Sequence, residues 1–174
     1  MKKTILTYGL ISGLIIMAFM ITSTLLYYKN PKLGLSEIIG FIGMFVAFIF
    51  VFVGTKNYRD KQNAGSITFL NAFKIGFFIA LISSCIYTLV WMVEFHFFLP
   101  DFMEKYAAST IEKIKSSGAS AIEIKNQIAD MESMKESYKN PLFMIAITLM
   151  EVLPIGLFVA LISALILKRK PAEN

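Results

Sequence analysis

The chain is poor in the residues that build catalytic and metal sites. Among its 174 residues are one cysteine, one histidine and 12 acidic side chains. The lone cysteine, Cys85, excludes an intrachain disulfide, and no recognised metal-ligand spacing is present. Phosphate-binding loops and nucleophile motifs are absent from the sequence as well. We therefore expect no enzyme, no metal and no cofactor.

Long apolar stretches dominate instead. Hydrophobic residues make up 56% of the chain and charged residues 17%, against about 45–50% and about 25% in soluble proteins. Four stretches lie at about residues 5–28, 35–53, 75–98 and 142–167. Each is near the roughly 20 residues that cross a bilayer core as a helix. The sequence predicts an all-α integral membrane four-helix bundle that forms a single membrane domain over residues 1–174.

The first stretch has two interpretations. Lys2 and Lys3 followed by an apolar run resemble the start of a signal peptide. The run has about 20 residues, against about 7–15 in a signal, and no small-x-small cleavage site follows it. A retained first helix is favoured, and a cleaved signal is the alternative.

Positive charge predicts the topology. Basic residues cluster at the amino end, after the second stretch and at the carboxyl end: Lys2, Lys3, Lys56, Arg59, Lys61, Lys74, Lys168, Arg169 and Lys170. Four spans place all three groups on one side, which predicts that both termini are cytoplasmic. This distribution of the net charge of +5 indicates contact with anionic lipid rather than with nucleic acid.

Two loops are predicted outside. Asn30-Pro31 and Gly34 predict a tight turn between the first two spans. Residues 100–140 form the one sizeable polar segment and predict an external two-helix hairpin between spans 3 and 4, with a break at Gly118 and a new helix capped by Ser120 and Glu123. Each hairpin helix has one narrow apolar face, so self-packing is favoured over a docking surface for a partner.

Glu151 interrupts the fourth span and is the first candidate for an intramembrane polar site, with Pro154 one turn later. A lipid-facing carboxylate is costly, so we expect Glu151 to face the bundle interior. It is either a proton or cation site on a kinked helix or a structural carboxyl. In the second case it would bond to hydroxyls such as those of Thr22, Ser23 and Thr24.

Glu94 and His96 complete the candidate polar site. Both directly follow Ile75–Val93, the charge-free part of the third stretch, so interfacial anchoring is favoured over a role beside Glu151. Residues two apart point to nearly opposite faces of a helix, so the pair cannot chelate a metal together.

Close-packed glycines offer helix contacts. Gly9 and Gly13 form a G-x-x-x-G in the first span, and Gly40 and Gly43 a looser pair in the second. Such residues let membrane helices approach. Contact within one chain and dimerisation both remain open.

Five segments resemble a known family. They are Ile67–Gly76 (ITFLNAFKIG), Pro100–Tyr106 (PDFMEKY), Tyr138–Phe143 (YKNPLF), Glu151–Gly156 (EVLPIG) and Ser163–Lys170 (SALILKRK). Together they resemble, in order and over nearly the whole chain, the four-span Bacteroidota membrane proteins called domain of unknown function 4199. The resemblance implies a bacterial inner-membrane location and brings no activity or assigned site.

The sequence thus favours a small non-enzymatic inner-membrane bundle with an accessory or interaction role. Its partners would be the lipid bilayer and either another protein or further copies of itself. The alternative is a proton- or ion-coupled transport component that uses Glu151.

Overall fold

A computed structural model of the chain describes residues 1–29 and 35–170. Six α-helices follow one another: α1 Lys2–Lys29, α2 Leu35–Gln62, α3 Phe69–Val93, α4 Phe102–Ser116, α5 Ala121–Ser137 and α6 Pro141–Leu167. A π-helical turn, Glu94–Phe98, extends α3. The described part contains no strand, so the all-α prediction is confirmed. The turn predicted at Asn30–Gly34 lies outside the described residues.

Four of these helices are long and apolar enough to cross a membrane: Lys2–Lys29, Ile38–Gln62, Phe69–Phe98 and Pro141–Leu167. The chain is a multi-pass membrane protein. The second apolar stretch ends near residue 53, and the polar residues from Lys56 to Gly65 predict a short loop after it. That prediction is wrong in where the loop starts, because α2 continues to Gln62. Lys56, Arg59 and Lys61 are good helix formers whose long side chains can reach water, so the helix continues past the apolar run.

The helices fall into two compact units. The membrane unit comprises Met1–Thr88 and the chain from Leu149 onward, and the hairpin unit comprises Leu89–Thr148. The membrane unit therefore holds α1, α2, most of α3 and most of α6. The hairpin unit holds the end of α3, the π turn, α4, α5 and the start of α6. That residues 1–174 form one domain stays a prediction.

Small residues bring α3 and α6 together in the core of the membrane unit. A Cβ added to Gly76 would lie 2.9 Å from the Cβ of Ala160, and one added to Gly156 would lie 2.8 Å from the Cβ of Ala80. The two helices are thus antiparallel: a step of four residues forward along α3, from Gly76 to Ala80, matches a step of four residues back along α6, from Ala160 to Gly156. Most of the fully buried residues around this α3–α6 contact are apolar: Ala47, Phe48, Val51, Ala72, Ile75, Ile79, Ala80, Val152, Ala160 and Ala164.

The glycine pairs of the first two spans make contacts within the chain. A Cβ on Gly9 would lie 2.9 Å from Ile82, and one on Gly13 would collide with Ile86, so α1 packs closely against α3. Gly43 lies against Phe19 in the same way and brings α2 to α1. Of the two alternatives for these glycines, the structure shows contact within one chain.

The hairpin unit has the two predicted helices. Gly118 has φ of +79°, a left-handed conformation that suits glycine at a helix end. The Ser120 hydroxyl accepts from the Glu123 amide at 3.3 Å, and the Glu123 carboxylate accepts from the Ser120 amide at 2.8 Å. The predicted capping box is confirmed, and with it the break between α4 and α5.

An aromatic cluster packs inside the hairpin unit. The ring centroids of Trp91 and Phe102 are 4.9 Å apart, and those of Phe95 and Tyr138 are 5.7 Å apart. Tyr106 stacks on Phe102 at 5.9 Å. The end of α3 is thereby joined to α4 and to the residues after α5. No periodicity in the sequence predicted these long-range contacts.

Candidate functional site

Glu151 lies on the outside of the membrane unit. It follows Pro141, the first residue of α6, by ten positions, which is about 15 Å along the helix. Its neighbour Val152 is fully buried and faces the core, whereas Glu151 is exposed beside Met150, which is 72% exposed. The prediction that Glu151 faces the bundle interior is wrong. Small residues on the Val152 face of α6 let it pack closely against α3, and Glu151 lies about 100° from that face.

The exposed face that carries Glu151 continues along α6. Phe158 and Leu165 follow at seven-residue intervals and are 61% and 50% exposed. Pro154 and Leu161 lie between them and are exposed as well. Residues at this alternating spacing of three and four share one side of a helix. We call Glu151, Pro154, Phe158, Leu161 and Leu165 the α6 outer seam.

Hydroxyl groups in the core of the membrane unit bond mainly to backbone carbonyls. Ser12 donates to the Ala47 carbonyl at 2.8 Å, which joins α1 to α2. Ser83 donates to the carbonyl of Ile79 at 2.9 Å and approaches that of Gly9 at 3.3 Å. These bonds satisfy the hydroxyls inside an apolar interior and tie the helices together.

The Ser84 hydroxyl differs from those of Ser12 and Ser83. It is fully buried, and its Oγ has no hydrogen-bond partner among the residues that the structure describes. Gly76 lies opposite Ala160 and Ala80 lies opposite Gly156. One turn further along, the same register places Ser84 at the level of Val152, the residue after Glu151. Thr22, a predicted partner of Glu151, donates instead to Ala18 of its own helix at 2.8 Å.

Glu94 and His96 lie in the π turn of the hairpin unit. His96 is exposed, and its ring lies 4.9 Å from that of Phe97 in an edge-on contact. Glu94 is partly buried. Within residues 1–29 and 35–170, no three His, Cys, Asp or Glu side chains are grouped so that they could hold a metal. Interfacial anchoring of Glu94 and His96 stays a prediction.

The three basic groups of the chain meet at one end of the membrane unit. The Met1 ammonium donates to Gln62 at 3.4 Å, and Gln62 donates to Thr4 at 2.8 Å, which joins the start of α1 to the end of α2. The Arg59 Nη1 donates to the Leu167 carbonyl at 3.4 Å and joins the end of α6. The sequence predicted this arrangement. The side of the membrane on which this basic end lies stays a prediction.

Two carboxylates of the hairpin unit, Glu104 and Glu123, make contacts at its surface. Lys135 of α5 pairs with Glu104 of α4, and its hydrogen bond lowers the pKa of that carboxyl. The amide of Ser120, followed by its hydroxyl, lowers the pKa of Glu123 through the capping box. Both carboxylates are stabilised in their charged forms. Their contacts order the hairpin without creating an unusual acid or base.

Residues 7–169 match the family described as "Protein of unknown function (DUF4199)". The chain belongs to this family. No curated protein and no solved structure matches it. The DUF4199 match covers most of α1 and continues almost to the end of the described chain, so the resemblance to this family is confirmed. Its Bacteroidota origin stays a prediction. Membership in DUF4199 assigns no activity, so a function has to be argued from the α6 outer seam and the basic end.

Proposed function

We propose that the protein is a non-enzymatic bundle of the bacterial inner membrane, with an interaction role carried out inside the bilayer through the α6 outer seam. The observation that supports this proposal is the exposure of Glu151, about 15 Å into a spanning helix. Scales from insertion experiments put the cost of a charged side chain at the centre of a membrane helix at about 2.5–3.5 kcal/mol. A second helix that offers a hydrogen-bond partner would offset that cost.

The occupant that fits the seam is a second copy of this chain. A two-fold axis normal to the membrane brings the same residue of two copies together at the same depth. A neutral carboxyl group has a donor and an acceptor, so two Glu151 side chains can bond to each other. Phe158 and Leu165, on the same face, would supply apolar packing with the three-and-four spacing of paired helices.

The transport alternative required Glu151 inside the bundle. The buried centre of the membrane unit consists of apolar side chains and a few hydroxyls. Ser12 and Ser83 are bonded to carbonyls, and Ser84 has no partner among the described residues. No pair of ionisable groups lies along that centre in the part of the chain that the structure describes. Association through the outer seam therefore agrees better with the position of Glu151 than ion transport through the bundle does.

The oligomeric state of the protein tests the proposal. The full chain would be fluorescently labelled, reconstituted at low density in bilayers, and counted by single-molecule photobleaching. We expect dimers for the unaltered protein and for Glu151→Gln, which keeps the shape and both hydrogen-bonding functions, and mostly monomers for Glu151→Leu. Glu132→Gln, an exposed position on α5, serves as the matched control and should stay dimeric. A monomeric unaltered protein would exclude self-association, and a fully dimeric Glu151→Leu would exclude the role of Glu151.

A further inference from the structure

A cavity of about 570 Å³ opens at the basic end of the membrane unit. It lies between the loop that joins α2 to α3 and the end of α6. Its lining residues are Asn63, Ser66, Ile67, Thr68, Phe69, Asn71, Lys168, Arg169 and Lys170. Three of the nine are cationic and none is acidic. The cavity therefore favours an anionic ligand.

Backbone contacts hold the cavity together. The Ile67 amide donates to the Arg169 carbonyl at 2.9 Å, and the Arg169 amide donates to the Ile67 carbonyl at 2.8 Å. Asn63 closes its own turn by donating to the Ser66 carbonyl at 2.6 Å. The Ile67–Arg169 bridge uses only backbone groups, so the guanidinium of Arg169 takes no part in it. The carboxylate of Asp60, which pairs with Arg59 at 2.6 Å, lies close enough to interact electrostatically with Arg169. The three cations make no ion pair with any other residue that the structure describes.

The start of α3 adds to the positive potential. Thr68 precedes the first residue of α3, and its hydroxyl accepts from the Asn71 amide at 3.3 Å. The first turn contains no acidic residue, so nothing in that turn neutralises the positive end of the helix dipole. The Asn71 side chain is exposed and carries an amide donor. Cations, a helix start and an amide donor are the groups that bind phosphate.

Apolar side chains lie beside this polar cavity. Phe69 lines it and is 36% exposed, and Leu70 is 71% exposed. Phe69 stacks on Phe73 one turn further along α3, with ring centroids 6.2 Å apart. The cavity lies at the ends of helices that are long enough to span a membrane, the level at which phospholipid headgroups lie. The exposed Phe69 ring and Leu70 offer contact to an acyl chain below the headgroup.

We propose that this cavity binds the phosphate group of an anionic phospholipid, with Lys168, Arg169 and Lys170 as the cations and Asn71 and the start of α3 as hydrogen-bond donors. The site is independent of the α6 outer seam and does not rest on the proposed self-association. It would fix the depth and tilt of the bundle at its basic end.

Lipid retention by the full chain tests the site. The protein would be purified in mild detergent with equal amounts of phosphatidylglycerol and phosphatidylcholine, and bound lipid counted by native mass spectrometry. We expect preferential retention of phosphatidylglycerol, reduced about tenfold or more in Lys168→Gln/Arg169→Gln/Lys170→Gln, because each cation near an anionic headgroup adds to the attraction. The matched control removes three exposed lysines of the hairpin unit, Lys113→Gln/Lys115→Gln/Lys125→Gln, and should retain the lipid.

A second experiment distinguishes binding of a lipid headgroup from binding of free phosphate. Inorganic phosphate would be added at millimolar concentration to the lipid-bound protein. Retained lipid shows that the headgroup is held together with its apolar part, whereas displaced lipid shows that the cavity recognises phosphate from either source. Equal retention of both lipids by the unaltered protein, or equal retention of phosphatidylglycerol by the triple variant, would overturn the proposal.

A single substitution covers the case in which the triple variant does not fold. Asn71→Asp places an acid in the first turn of α3, where it favours the helix but repels an anion in the cavity. We expect this variant to melt no lower than the unaltered protein and to retain several-fold less phosphatidylglycerol. Undiminished retention would overturn the site independently of the triple variant.

Discussion

Ile67 and Arg169 pair through two backbone hydrogen bonds, at 2.9 and 2.8 Å, although they are far apart in the sequence. The pair joins the turn before α3 to the residues that follow α6. The start of α3 and the end of α6 therefore lie at the same end of the membrane unit. The start of α1 and the end of α2 lie there too. This arrangement brings the three basic groups together at one end of the membrane unit.

The threading of the chain can be checked by labelling. On a Cys85→Ala background, a cysteine at the exposed position Ser117 should react with a membrane-impermeant thiol reagent on whole cells. One at Lys61, also exposed, should react only after the membrane is permeabilised. The reason is that an excess of Lys and Arg keeps a segment in the cytoplasm. The reverse labelling pattern would show that the basic end lies outside.

The capping box of α5 makes a local prediction. Ser120→Ala removes the acceptor for the Glu123 amide and should cost about 1 kcal/mol. Hydrogen exchange at the amides of the first turn of α5 should accelerate about fivefold, while α4 is little affected. Ser133→Ala, an exposed position in the interior of the same helix, is the control. If the two variants exchange alike, the box does not stabilise the helix.

The contact between Glu104 and Lys135 predicts a dependence on pH. The pKa of Glu104 is lower in the folded protein because Lys135 donates to its carboxylate. Its contribution to stability is therefore present at neutral pH, above the unfolded-state pKa of about 4.3. It is lost as the pH falls through the lower pKa of the folded state. Since both groups are largely exposed, the effect is small and weakens with salt.

The stability of the α4–α5 hairpin should be measured by hydrogen exchange at several pH values between pH 7 and pH 2.5. Glu104→Gln should reduce stability at pH 7 and flatten the loss on acidification, whereas Glu132→Gln should follow the unaltered protein. A Glu104→Gln profile that runs parallel to the unaltered one at every pH would contradict the assignment of the shift to Lys135.

Much of this fold could be predicted from the sequence, because the bilayer permits few arrangements. Four long apolar stretches required four helices, and the capping pair Ser120 and Glu123 specified where α5 begins. The end of α2 could not be predicted, because Lys56 and Arg59 follow the apolar stretch and their charge suggests a loop. The sequence indicates where the hydrocarbon ends, but a helix of polar residues can continue beyond it to Gln62.

The candidate sites were less predictable. The cost of an exposed carboxylate predicted an interior Glu151, but the buried face of α6 is set by how closely Val152, Gly156 and Ala160 let it approach α3. Which face of α6 is buried depends on packing between segments that are distant in the sequence. The residues around Glu151 show no periodic pattern that would predict it. The cavity at the basic end was missed because it is formed by the Ile67–Arg169 bridge, a long-range contact. In the sequence its three cations predict topology and a general contact with anionic lipid, but they do not indicate a cavity.

Disulfide cross-linking between copies tests the central claim, association through the α6 outer seam, most directly. On a Cys85→Ala background, Phe158→Cys places a thiol on the seam, and Leu10→Cys places one at a similar distance from the basic end but on α1. The two positions are 61% and 52% exposed. In native membranes under mild oxidation, we expect the Phe158→Cys protein to form covalent dimers quickly and the Leu10→Cys protein to stay monomeric. Adding Glu151→Leu should slow the Phe158→Cys reaction. Equal cross-linking at the two positions, or none at Phe158→Cys, would contradict the account.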